Sequence, residues 1–128
     1  MKLLLDTHLL LWAVGSPELL SASAQSLIRS PLDQPVFSVV SIWEVAIKTS
    51  RRHAEFDVSP ILLRETLLES GYEELPVMGN HAVAVAGLPA IHKDPFDRLL
   101  IAQAMVEGIT LLTVDATIAR YPGPIRKV

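Results

Sequence analysis

Short runs of consecutive apolar residues alternate along the chain with stretches in which apolar positions recur every three or four residues. The first pattern belongs to strands covered on both faces and the second to helices with one covered side. Lys2 to Leu5 predicts a strand that stops at Asp6-Thr7, where a helix opens over His8 to Val14. Gly15-Ser16-Pro17 breaks it, and Ser21 caps a second helix to about Arg29. Pro31 and Pro35 bracket a loop, and Val36 to Val40 predicts the next strand. Ser41-Ile42-Trp43-Glu44 then has the S-x-x-E form of a capping box, opening a helix to about Arg52.

The second half repeats the alternation. Ser59-Pro60 starts a helix that Ser70-Gly71 stops, Tyr72 to Val77 predicts a short strand, and Asn80 caps a small helix ended by Gly87-Leu88-Pro89. Asp94 caps a helix over Phe96 to Glu107, with Pro95 at its first position and Gly108 as its stop. Thr110 to Val114 is a strand closed by Asp115, and Ile125 to Val128 is a last short strand. Parallel strands need helical crossovers, so this order predicts an α/β sandwich with a mainly parallel central sheet flanked by helices.

Composition narrows the chemistry. The chain has 128 residues, the size of one domain, and half of them are hydrophobic. Its apolar runs are shorter than the ~20 residues a spanning helix needs, and Asp6 interrupts the apolar start before an export signal develops. A protein free of the membrane and located in the cytoplasm is the expectation. With no cysteine, disulfides, thiolate zinc sites and cysteine nucleophiles are excluded, and any metal is left to Asp, Glu or His. The formal charge of -3 argues against a basic nucleic-acid coat but leaves room for a local site.

Asp6, Glu44 and Asp115 each fall at or just past the end of a predicted strand, and Asp97 lies in the first turn of a helix. In a parallel sheet the carboxyl ends share one edge, where ligands bind, so these acids are expected to converge. Singly, each has a plainer role as a cap, a turn residue or a partner of the helix dipole. Gathered, they repel one another unless a cation compensates, and oxygen-only ligation suits Mg²⁺ or Mn²⁺. The reaction class that follows is metal-dependent phosphodiester hydrolysis.

The segments "LLDTHLLLW" at 4–12, "SIWEVAIK" at 41–48, "HKDPFDRLLIAQA" at 92–104 and "LLTVD" at 111–115 carry a resemblance. In that order and spacing the chain resembles the PIN-domain ribonuclease toxins, the VapC family of type II toxin-antitoxin systems. The resemblance implies a single PIN domain over residues 1–128, folded as a three-layer sandwich. It implies an Mg²⁺- or Mn²⁺-dependent endoribonuclease acting on RNA, a homodimer, and a cognate antitoxin protein that neutralises it. Asp6, Glu44, Asp97 and Asp115 match the family's acidic quartet, while Asp94 is read as a cap. The chain departs from the family pattern at Ser50 to Phe56 and after Tyr121.

Other residues have two readings. Thr7 and Thr113 are either supports for the site or a cap and a strand former, and Ser41 is first an N-cap that fixes Glu44 and second a hydroxyl within reach of the site. Arg98 either pairs with a carboxylate or meets a phosphate. Lys48, Arg51 and Arg52 sit where a helix dipole alone favours cations, and RNA binding there is the secondary reading. His8, His53, His81 and His92 lack metal-ligand spacing and read as surface or capping residues. Trp12 and Trp43 read as core, with a partner groove the second reading for Trp12. The competing function is a catalytically inactive PIN-like module that binds RNA or protein.

Overall fold

The structure is a computed structural model that describes residues 1–51 and 57–128. Arg52 and His53, and with them the predicted helix end at Arg52, lie outside the described residues. Among the described residues five strands, β1 (Lys2–Leu5), β2 (Gln34–Ser38), β3 (Glu73–Leu75), β4 (Thr110–Thr113) and β5 (Ile125–Lys127), form one sheet in the order β3-β2-β1-β4-β5. All four pairings are parallel, so the sheet is more uniform than the mainly parallel one expected. The crossovers among the described residues hold the α-helices α1 (Thr7–Gly15), α2 (Ala22–Arg29), α3 (Val39–Ser50), α4 (Pro60–Glu69), α5 (Gly79–Ala84) and α6 (Pro95–Glu107).

Strand alternation sorts the core into two layers. Leu3, Leu5, Phe37 and Leu112 point to one face, where Leu9 and Leu10 of α1, Ala24 of α2 and Leu63 and Leu67 of α4 cover them. Leu4, Val36 and Leu111 point to the other, against Leu100, Ile101 and Ala104 of α6. Helices thus lie on both sides of the sheet, which makes the three-layer sandwich. Helix α3 contributes to both layers, Val40 to one and Val45 to the other, so it sits across the carboxyl end of the sheet. Strand β1 is central: the chain winds to β2 and β3 on one side, then crosses to β4 and β5 on the other. Such a switch in winding opens a crevice at the carboxyl edge.

Caps decide where several elements begin. Asp6 accepts from Leu9 N–H, Ser21 from Ala24 N–H, Ser59 from Leu62 N–H and Asp94 from Asp97 N–H, as the sequence pattern predicts. The capping box at Ser41 does not form. Ser38 takes the N-cap by accepting from Val40 N–H at 3.0 Å, so β2 ends at Ser38 and Ser41 and Glu44 lie inside α3, both buried. The β-branched pair Val39-Val40, predicted as strand, is thereby drawn into a helix. Pro35, expected in a loop, is the second residue of β2. At α5 the cap is Met78 rather than Asn80, because the His81 imidazole accepts the Met78 N–H at 2.9 Å. His81 caps as expected but is fully buried, not on the surface. Trp43 is 52% exposed and packs edge-on against Phe96, so it is no core residue.

Candidate active site

Four elements deliver carboxylates to one cleft of about 160 Å³ at the carboxyl edge, lined by Asp6, His8, Glu44, Lys48, His92, Asp94, Asp97, Asp115 and Ile118. Asp6 follows β1, where its Oδ1 caps α1 and its Oδ2 accepts from the Thr113 hydroxyl at 2.5 Å. The Thr113 oxygen also accepts the Asp115 N–H at 3.0 Å, so one hydroxyl at the end of β4 ties two acids together. Asp115 in turn accepts the N–H groups of Thr117 and Ile118 through Oδ1, leaving Oδ2 toward His92 at 4.0 Å.

On α3, Ser41, Glu44 and Lys48 are spaced i, i+3, i+7 and share a face. Thr7 donates to Glu44 Oε1 at 2.7 Å and lies 2.9 Å from the Ser41 hydroxyl. Lys48 Nζ stands 2.6 Å from Glu44 Oε2. Asp97 occupies the third position of α6, where the Asp94 cap holds its N–H, and its Oδ2 lies 2.9 Å from His92 Nε2. Lys93 N–H donates to His92 Nδ1, which places the ring proton on Nε2 and makes the imidazole a donor to Asp97.

Burial and like charge act on these groups. Asp97 is pushed up to about 7, first by desolvation and then by the charges of Asp94, Glu44 and Asp6, against which His92 pulls down. Asp6 is also raised, because burial outweighs the hydrogen bonds from Thr113 and Leu9. A carboxylate cluster with this charge excess is the environment a divalent cation relieves. A ring nitrogen of His92 and single oxygens of Asp97 and Asp115 all lie within 4.8 Å of one another. An oxygen-rich set of this size fits a hard divalent ion.

The quartet named from sequence therefore lines one cleft, with Thr7, Ser41 and Thr113 beside it. Arg98 does not pair with a carboxylate: its guanidinium donates to the carbonyls of Val85, Pro89 and His92 and to the Tyr121 hydroxyl. Because Tyr121 also accepts the His92 N–H at 2.7 Å, Arg98 secures the loop that carries His92. Sequence reasoning missed His92 as a site residue and ranked RNA binding by Lys48 below its helix-dipole role. The i+4 step from Glu44 to Lys48 was the available signal for one, and the place of His92 within "HKDPFDR" for the other.

A wholly parallel sheet with a winding switch at its centre and carboxylates gathered over its carboxyl edge is the arrangement of a PIN domain. Residues 3–124 match the PIN domain, and the chain belongs to that family. Within it, the chain is 27% identical over 125 residues, 95% of each protein, to Ribonuclease VapC22 of Mycobacterium tuberculosis. In fold it is similar to VapBC2 from Rickettsia felis bound to a DNA fragment from their promoter, with a TM-score of 0.75, 15% identity, and 100% of this chain and 99% of that one covered. It is similar also to DNA-bound VapBC from Salmonella typhimurium, with a TM-score of 0.70, 16% identity, and 99% and 98% covered.

Proposed function

We propose that this PIN domain is a metal-dependent endoribonuclease, the toxin of a toxin-antitoxin pair. One observation carries the reading: Asp6, Glu44, Asp97 and Asp115, remote in sequence, line a single cleft. Mg²⁺ or Mn²⁺ would be held there by these carboxylates, with Asp97 and Asp115 the closest pair to His92. When bound, the ion supplies Lewis-acid chemistry, making water acidic and offsetting charge on a phosphodiester.

The chain's own residues set the stage for that chemistry. Thr113 fixes Asp6 and Asp115 relative to each other, Thr7 fixes Glu44, and His92 donates to Asp97, so each carboxylate is oriented by a group that is itself held. RNA is the substrate expected from the likeness to Ribonuclease VapC22. The antitoxin partner is expected from the likeness to toxin-antitoxin complexes. An apolar groove lined by Leu11, Trp12, Leu19 and Val58 reaches the cleft through His8 and offers the partner a seat.

Cleavage of RNA by purified protein in Mg²⁺ or Mn²⁺, and its loss in EDTA, tests the reading. Asp6→Asn, which keeps shape and removes charge, is expected to abolish cleavage while the protein stays folded. Undiminished cleavage in EDTA, or by Asp6→Asn, would overturn it.

A further inference from the structure

We propose that Lys48 binds a phosphate of the RNA substrate, with Glu44 serving to aim it. The inference rests on the nuclease reading and assigns a substrate-contacting residue within the same cleft. Five carboxylates line that cleft, Asp6, Glu44, Asp94, Asp97 and Asp115, so an RNA backbone approaching it meets repulsion. Among the described residues lining it, Lys48 is the one lysine or arginine, beside the imidazoles of His8 and His92.

An i,i+4 Glu-Lys pair on a helix is ordinarily a solvated surface contact of small effect. This pair differs. The Glu44 side chain is 3% exposed and that of Lys48 23%, and their charged atoms are 2.6 Å apart. Glu44 is held at its other oxygen by Thr7, so it is a fixed post rather than a swinging partner. Lys48 is further confined by the Phe96 ring, 5.9 Å from Nζ, and Trp43 packs against that ring with centroids 4.9 Å apart. These contacts keep a long, flexible side chain at the cleft wall and reduce the entropy lost when it engages a ligand. An ammonium has three N–H donors and can hold a carboxylate and a phosphate oxygen together.

The test measures binding and metal affinity separately. A fluorescently labelled random-sequence single-stranded RNA is titrated with the protein in Ca²⁺ over a range of KCl, read by anisotropy. Mn²⁺ binding without RNA is read by electron paramagnetic resonance. Lys48→Met is expected to weaken RNA binding and reduce the steepness of log affinity against log salt by about 0.7, the share of one phosphate contact on a single strand. Lys48→Arg is expected to retain the slope, and Mn²⁺ affinity in Lys48→Met is expected to hold or rise, because a competing cation has left the cleft. Should Lys48→Met fail to fold, Lys48→Gln takes its place in the same measurements. An unchanged salt slope in a folded variant, with wild-type protein binding both RNA and Mn²⁺, overturns the role of Lys48 alone. Failure of the wild-type protein to bind either one overturns the nuclease reading and this proposal with it.

Discussion

Asp97 is half-buried at the start of α6 among other carboxylates, and its proton affinity is correspondingly high. The consequence for stability has a definite sign. Between about pH 4, where an unfolded aspartate ionises, and about pH 7, where the folded one does, the native state binds the extra proton. The contribution of Asp97 in metal-free protein is therefore more favourable at the acidic end and is lost as pH rises through about 7. Asp97→Asn is expected to raise the melting temperature in EDTA at pH 8 and to do so far less at pH 5, while abolishing cleavage. Thermal unfolding at both pH values checks this, and equal shifts would mean that Asp97 carries no such burden. Asp94→Ala is expected to do the reverse, costing about 0.5–2 kcal/mol through the lost cap and acting on cleavage only through the position of Asp97.

At the scale of elements, the start of α3 determines whether Glu44 faces the cleft. Ser38 caps that helix, and its hydroxyl also donates to Gln103 Oε1, whose amide group reaches the Pro76 carbonyl. One buried side chain thus joins β2, α3 and α6. Ser38→Ala is expected to cost about 1–3 kcal/mol, combining a lost cap with an orphaned buried acceptor. Ser41→Ala, which removes a hydroxyl inside the helix beside Thr7, is expected to cost less stability and to reduce turnover more. Urea denaturation and cleavage rates on both variants distinguish them. At the far end of α6, Gly108 sits at φ 66°, and Gly108→Ala is expected to lower stability by about 1 kcal/mol without touching the site.

At the scale of the molecule, apolar side chains remain uncovered: Leu19 is 55% exposed, Ile61 69% and Leu62 62%. Among the described residues no helix is long and apolar enough to cross a membrane. The proposed toxin reading expects protein to cover these side chains, and light scattering is expected to find a dimer in the absence of antitoxin; a strict monomer would contradict it. The groove is tested best at Leu19. Leu19→Glu is expected to weaken inhibition by the antitoxin while leaving melting and RNA cleavage unchanged. Leu10, by contrast, is wholly buried, and Leu10→Glu is expected to unfold the protein.

Much of this was legible in local pattern. Largely apolar segments of four or five residues marked β1, β2 and β4, and Ser21, Ser59, Asp94 and Gly108 marked helix ends, because capping depends on groups within three or four residues. The positions of Asp6, Glu44 and Asp115 after strands, with Asp97 at a helix start, implied their meeting, since a parallel sheet puts all its strand ends on one edge. What local pattern left undecided turned on long-range contacts. Ser38 displaced Ser41 as the cap while also bonding Gln103, a residue 65 positions away. Arg98 turned from the acids to carbonyls of a loop that folds back over α6, and His92 entered the cleft because Tyr121 holds its backbone. Lys48 is an ordinary helix cation in sequence. Its burial against Phe96, and the carboxylates that converge on it from β1, β4 and α6, exist only once the sheet has closed the distance between them.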